Sequence, residues 1–220
     1  MSIKENIEMI QKDIPPYANL IAVSKTRTID EIKEAYETGV RDFGENKVQE
    51  LIDKTENLNS DIRWHLIGHL QTNKVKYIVG KVHLIHSLDS IKLLEEIEKR
   101  YSIKGINANV LIQINIGREE SKTGILVEDL NELLKACEAC CNVKVRGLMS
   151  IIPKGDDETC RKYFKEMKAI SDDIKKVSYK NITMDYLSIG MTGDYKLAIL
   201  EGSNMIRVGE GIFGKRNYKL

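Results

Sequence analysis

Short runs rich in β-branched residues alternate with longer segments of helical period along the whole chain, and that alternation limits the fold more than any other feature. Strand-like runs fall at 19–24, 41–44, 63–67, 82–87, 109–116, 145–150, 186–189 and 205–208, eight in all. Between them lie segments of helical period at 29–38, 46–57, 89–101, 127–141, 157–177 and 194–200, with Gly39 and Gly202 placed as C-caps. Strands that alternate with helices form parallel sheets, and eight of them within 220 residues favour a closed (β/α)8 TIM-type barrel over an open doubly wound sheet. With three prolines and no low-complexity stretch there is no linker, so residues 1–220 are expected to form a single domain. Ahead of the first strand, Ile3, Ile7 and Ile10 recur among charged residues and Pro15 and Pro16 follow, which predicts an extra N-terminal amphipathic helix.

Composition narrows the partners. The 34 basic and 33 acidic side chains leave a net charge of +1, without the basic excess of a nucleic-acid-binding protein. Hydrophobic residues at 42% and charged residues at 30% supply one sizeable core. No apolar run approaches the ~18 residues of a membrane span, and the charged N-terminal segment lacks the apolar stretch of a secretory signal. Four cysteines, three of them clustered as Cys137, Cys140 and Cys141, make a poor disulfide framework at this length, so a reducing cytoplasm is expected. A zinc site would need four ligands and only Cys160 remains; the clustered three share one face of a predicted helix and are read as core residues.

In such a barrel the chemistry gathers at the C-terminal ends of the strands. There the sequence sets Ser24 and Lys25, Glu45 and Asn46, Gly68 and His69, His86 and Ser87, Asn115, Met149 and Ser150, Met191 and Thr192, and Arg207 with Gly209. Lys25 is the first charge after an apolar strand, which puts its ammonium at the rim, where partial desolvation makes a lysine a usable amine nucleophile. Position alone does not separate it from a solvated lysine. Loops after strands seven and eight frequently hold a phosphate on backbone N–H groups where glycine permits close approach. Here they read Gly190-Met-Thr-Gly-Asp194 and Arg207-Val-Gly-Glu-Gly-Ile-Phe-Gly214, so Thr192 can add a hydroxyl and Gly209 with Glu210 backbone donors. The competing reading makes these glycines plain caps and turns. His65 and His69 lie four apart without the helical geometry that would aim both at one metal, so packing and hydrogen-bonding roles are expected, with His69 nearer the pocket. His86 and Ser87 are expected to reach the rim, Asn115 and Met149 to line the pocket, and Trp64 to pack beneath the helices.

The segments Ala22-Val-Ser-Lys25, Phe43-Gly-Glu-Asn46, Trp64-His-Leu-Ile-Gly-His-Leu-Gln-Thr-Asn-Lys74, Ile85-His-Ser-Leu-Asp89, Gly147-Leu-Met-Ser150, Leu187-Ser-Ile-Gly-Met-Thr192 and Ile206-Arg-Val-Gly-Glu-Gly-Ile-Phe-Gly214 closely resemble the pyridoxal phosphate homeostasis proteins. These are stand-alone relatives of the alanine racemase N-terminal barrel, and the resemblance spans nearly the whole chain in the same order. It implies pyridoxal 5′-phosphate as cofactor, with Lys25 in aldimine linkage to it. Thr192 would stand where the family usually has serine and, with the backbone at Gly209 and Glu210, hold the phosphate; Met191 beside it belongs to the same cofactor site. Arg207 would face the pyridine nitrogen and Asn46 would line the pocket near the ring. Glu210 departs from the hydroxyl residue often found there, a change the backbone donors survive.

Pyridoxal phosphate reactions draw electrons into a protonated ring, whereas an arginine facing the nitrogen can only donate and keeps the sink weak. In the related racemases a second base, a tyrosine, comes from the partner subunit's C-terminal β-domain, and with the barrel pattern running almost to Leu220 no such domain is expected here. The expected function is therefore a carrier that holds pyridoxal 5′-phosphate for intracellular homeostasis and delivery, without robust catalysis. Its other partners would be transient cofactor-dependent apo-enzymes, and a monomer is expected. The alternatives are a small amino-acid racemase using Lys25 alone and a phosphosugar isomerase without cofactor.

Overall fold

In a computed structural model that describes residues 1–215, eight strands pair in parallel, each with its sequence neighbours, and the last closes on the first. They are β1 (Asn19–Val23), β2 (Asp42–Glu45), β3 (Arg63–Leu66), β4 (Leu84–Leu88), β5 (Ala108–Gln113), β6 (Val143–Met149), β7 (Ile182–Met191) and β8 (Met205–Val208). Closure sets Asn19 opposite Met205 and Ala22 opposite Val208. The helices are α1 (Ile3–Asp13), α2 (Ile29–Glu37), α3 (Val48–Asn57), α4 (Val75–Ile78), α5 (Ile91–Lys104), α6 (Leu130–Glu138), α7 (Asp157–Lys175), α8 (Tyr195–Leu200) and α9 (Glu210–Phe213). The barrel is thus the (β/α)8 fold with the extra helix ahead of it, and no helix among the described residues is long and apolar enough to cross a membrane.

Local chemistry starts the helices where the sequence places them. Ser2 and Thr28 form capping boxes with Glu5 and Glu31, each hydroxyl accepting from the N–H three residues on while the glutamate accepts from the cap's own N–H. Ser90 and Asp156 cap α5 and α7 in the simpler way. Apolar side chains on the outer face of the strands and the inner face of the helices, among them Ile32, Phe43, Trp64, Leu93, Ile97 and Phe164, form the main core. Inside the barrel the apolar part is small: Ile21, Leu84, Leu111, Met149 and Met205. Buried polar residues take the remaining interior positions.

Several boundaries differ from the sequence reading. The helix expected at 127–141 begins as a 3-10 turn, Val127–Asp129, and α6 ends at Glu138. Cys141 therefore lies past the helix and is exposed, Cys140 is half-buried, and of these three only Cys137 is a core residue, its thiol pushed up to about 12 by burial. Strand β7 starts at Ile182 rather than 186: Asp185, ion-paired to Arg146, breaks the apolar run, and the register with β6 shifts between Ile182 and Tyr186. Between β3 and β4 a 3-10 turn (Thr72–Lys74) and the single turn α4 occupy a stretch that showed no helical pattern long enough to read.

Candidate functional site

Lys25 is the second residue beyond β1, half-buried, and both its neighbours are clamped from β2 and α3. The Ser24 hydroxyl donates to Glu45 Oε1 at 2.6 Å. Lys54 Nζ donates to Ser24 O at 2.8 Å, to Glu45 Oε1 at 2.8 Å and to Glu50 Oε1 at 2.6 Å. On the other side the Thr26 N–H donates to Glu50 Oε1 at 2.5 Å, which holds Thr26 at φ 65°, a left-handed conformation a β-branched residue rarely adopts. Three residues thus fix the backbone that presents Lys25. Burial pushes the Glu45 carboxyl above its ordinary value, against the pull of Lys54. Glu45, placed at the rim by sequence, instead faces α3; the i,i+4 spacing of Glu50 and Lys54 was the one local signal of this cluster.

The loops after β7 and β8 meet beside this lysine. Gly190 turns the chain at φ 93°, where a Cβ would stand 2.6 Å from the Ala198 Cβ. Met191 is exposed and sits opposite Arg207, with its N–H donating to Asp194 Oδ1 at 2.5 Å. The Thr192 hydroxyl accepts from the Gly211 N–H at 3.2 Å, joining the two loops. At Gly209 a Cβ would stand 3.4 Å from both Val23 O and Val23 Cβ, an ordinary contact, so the protein itself has room for a side chain there. Glu210 opens α9 with its side chain in solvent. Arg27, two residues past Lys25, donates to Gly214 O at 2.5 Å and lies 5.6 Å over the Phe213 ring, tying the lysine's loop to the segment carrying Gly209. Asn46 follows β2, half-buried; a Cβ at Gly68 would stand 2.4 Å from its carbonyl, so the loop after β3 packs directly on it.

Below the rim, Arg207 is buried and its guanidinium is anchored on protein oxygens: Nη1 donates to Ser188 O at 2.6 Å and Ser188 Oγ at 2.7 Å, Nη2 to Ser150 O at 2.9 Å. Burial lowers its pKa to about 10, which leaves it protonated at neutral pH. His86 does not reach the rim: β4 runs on to Leu88, and His86 lies inside the barrel, 0% exposed, against Ser188 and His65. Met149 belongs to the inner apolar cluster, and the Asn115 amide is used within its own loop on Glu119. His69 is exposed and paired with Asp89 at 2.9 Å, while Trp64 packs on Phe43 in the outer core as expected. Among the described residues no cluster of His, Cys, Asp or Glu is arranged to hold a metal.

Burial, then the neighbouring His65, holds the His86 imidazole well below its ordinary value. An unfolded chain takes up that proton near pH ~6.5 while the folded one does not. Stability is therefore full above that pH and falls below it by up to ~1.4 kcal/mol per pH unit. Although burial opposes it, Arg63 and His65 hold the Asp42 carboxyl low, which adds a second loss only below about pH 4. Urea midpoints measured between pH 8 and pH 5 should decline on the acid side; a flat profile would contradict a neutral buried His86.

A family model described as alanine racemase, N-terminal domain, matches residues 1–217. The pyridoxal phosphate homeostasis protein of Aquifex aeolicus is 44% identical over 203 residues, covering 91% of this chain and 88% of that protein. The protein of the same name from Escherichia coli is 37% identical over 209 residues, covering 93% and 88%. Among solved structures, PipY of Synechococcus elongatus with PLP bound has a TM-score of 0.89 at 34% identity, covering 97% of this chain and 100% of that one. An alanine racemase of Clostridium difficile reaches a TM-score of 0.82 at 13% identity over 57% of its length, a likeness of fold alone.

Proposed function

The chain belongs to the pyridoxal phosphate homeostasis protein family, and from that premise we propose that it binds pyridoxal 5′-phosphate and serves intracellular homeostasis of that cofactor as a non-catalytic carrier. The observation that carries this reading is the meeting of an amine and a glycine-lined cradle on one rim: β1 pairs with β8, and Arg27 ties the Lys25 loop to the Gly209 segment. The residues fit the group. Gly209 leaves open the space a side chain would fill, Thr192 offers a hydroxyl on the adjoining loop, and Arg207 lies beneath both as a fixed cation.

When bound, the cofactor supplies an electrophilic aldehyde and an electron-accepting ring. Lys25 supplies the amine for covalent attachment, held in place by the Glu45–Lys54–Glu50 cluster. Thr192 and the backbone at Gly209 and Glu210 hold the phosphate, with Met191 and Asn46 lining the pocket. Arg207 faces the pyridine nitrogen, where a group that can only donate keeps that nitrogen unprotonated. The names of the relatives support a carrier, and the racemase reading rests on likeness of fold. The match over residues 1–217 supports one barrel as the functional unit. Four free cysteines support a reducing cytoplasm as its location. We take the barrel to act as a monomer that hands the cofactor to transient apo-enzyme partners.

Borohydride reduction in the presence of pyridoxal 5′-phosphate should leave one adduct, on Lys25, located by mass spectrometry. Lys25→Ala should lose that adduct yet still bind the cofactor within about tenfold of wild type, because the phosphate donors, each worth roughly 1.5–3 kcal/mol, remain. An adduct at another lysine, or abolished binding in Lys25→Ala, overturns the assignment.

A further inference from the structure

Five side chains form one hydrogen-bonded line through the barrel interior, from β2 across β3, β4 and β7 to β8. At the β8 end Arg207 Nη1 donates to Ser188 Oγ at 2.7 Å. Ser188 Oγ lies 3.1 Å from His86 Nδ1, His86 Nε2 lies 2.9 Å from His65 Nδ1, and His65 Nε2 lies 2.9 Å from Asp42 Oδ1. Asp42 is also held by Arg63, and both line a cleft at the N-terminal ends of β1 to β3, the face opposite the rim. Neither the amine nor the phosphate cradle needs this line, yet it occupies much of the buried polar interior.

The identity of its ends sets its direction. A guanidinium donates and never accepts, and an ionised carboxylate accepts and never donates. Arg207 therefore gives a proton to Ser188 Oγ, and the hydroxyl proton of Ser188 turns to its other neighbour, His86 Nδ1. That nitrogen accepts, so the proton of a neutral His86 sits on Nε2 and points at His65 Nδ1. His65 in turn carries its proton on Nε2, facing Asp42. Every link then has one donor and one acceptor, with both imidazoles neutral and in the same tautomer. The reverse arrangement, an imidazolium His65 donating both to Asp42 and to His86, leaves Ser188 accepting twice with no acceptor for its own proton, and puts another charge in the interior.

We propose that Ser188, His86 and His65 are positioning residues for Arg207: a directed, uncharged hydrogen-bond chain anchored on Asp42 that fixes the orientation of the guanidinium. The charged and titratable groups facing His86 are His65 on β3, Arg207 on β8 and His83 just ahead of β4; those facing His65 are Asp42, His83 and His86. Burial disfavours a second proton on His86, so the link next to Ser188 and Arg207 stays uncharged across the neutral range. What Arg207 presents to a bound ring is then independent of pH there. This function rests on the reading of Arg207 as the residue facing the pyridine nitrogen; the tautomers do not.

Nitrogen-15 NMR of the ligand-free protein labelled at histidine tests the chain. Two ring systems, assigned through His65→Gln and His86→Asn, should each show a protonated Nε2 and an unprotonated Nδ1 from pH 6 to pH 8. A protonated Nδ1 on either, or a doubly protonated His65, overturns the proposal. The positioning role is read from the long-wavelength absorbance of bound pyridoxal 5′-phosphate. His86→Leu should shift that band or its pH dependence, and His86→Asn, whose amide oxygen can accept from Ser188, should restore it. If His86→Leu does not fold, Ser188→Ala gives the same comparison at the next link. A band that moves in Arg207→Gln but in neither His86→Leu nor Ser188→Ala overturns the positioning role. A band unmoved even in Arg207→Gln refutes instead the placement of Arg207 at the ring, with the tautomer result unaffected.

Discussion

Gly209→Val is expected to lower affinity for pyridoxal 5′-phosphate by on the order of 10²-fold or more, with Lys25 intact and the fold undisturbed. A Cβ at this position meets Val23 at 3.4 Å and φ is −113°, so neither crowding nor backbone strain opposes the side chain. The isopropyl group would instead occupy the space at Gly209 that, on the proposed placement, a phosphate must enter to reach backbone donors. Losing about two charge-assisted hydrogen bonds of roughly 1.5–3 kcal/mol each gives that factor. Thr192→Ala removes one neutral donor and should fall between wild type and Gly209→Val. Equilibrium dialysis measures all three, with urea midpoints as the control for folding. Wild-type affinity in Gly209→Val would place the phosphate elsewhere.

Lys54→Met should cost about 3–5 kcal/mol of folding stability, the usual penalty for removing one partner of a buried ion pair. The Glu45 side chain is fully buried and Lys54 is 7% exposed, so no solvent replaces the lost ammonium. The deficit has a characteristic pH dependence. Burial already raises the Glu45 carboxyl, and without Lys54 it rises further. A native state that keeps its proton while the unfolded chain releases it near pH ~4.3 loses stability as pH climbs, so the gap from wild type should narrow on acidification. Glu45→Gln combined with Lys54→Met should recover much of the loss. A Lys54→Met protein as stable as wild type at pH 7 and pH 5 would mean that the cluster contributes little to the fold.

The barrel was legible because parallel strands buried on both faces appear as continuous apolar runs, such as Leu20 to Val23, separated by segments long enough to be helices. The positions of Lys25, Thr192 and Gly209 just beyond their strands were legible for the same reason, since the strand ends can be read from where the apolar runs stop. The interior line was not. His86 was expected at the rim beside a strand end read at Ser87, whereas β4 runs to Leu88 and His86 lies inside the barrel. Its partner Ser188 is 102 positions away on a strand that is not a neighbour, and no local pattern encodes a contact across a barrel. The Glu45–Lys54 pair was hidden similarly, since it depends on which face of β2 looks at α3. Cys141 was misplaced because α6 stops at Glu138, inside a stretch whose apolar period continues.

The closure of β8 onto β1 also sets a time. During synthesis Lys25 leaves the ribosome well before the strand beside it and the loop that follows that strand. A nascent chain that has emerged as far as β6 carries the amine with no cradle next to it, so an aldehyde that reacts there has nothing to hold its phosphate. If the phosphate sits where we propose, a retained cofactor requires residues 205–211 to have paired beside β1.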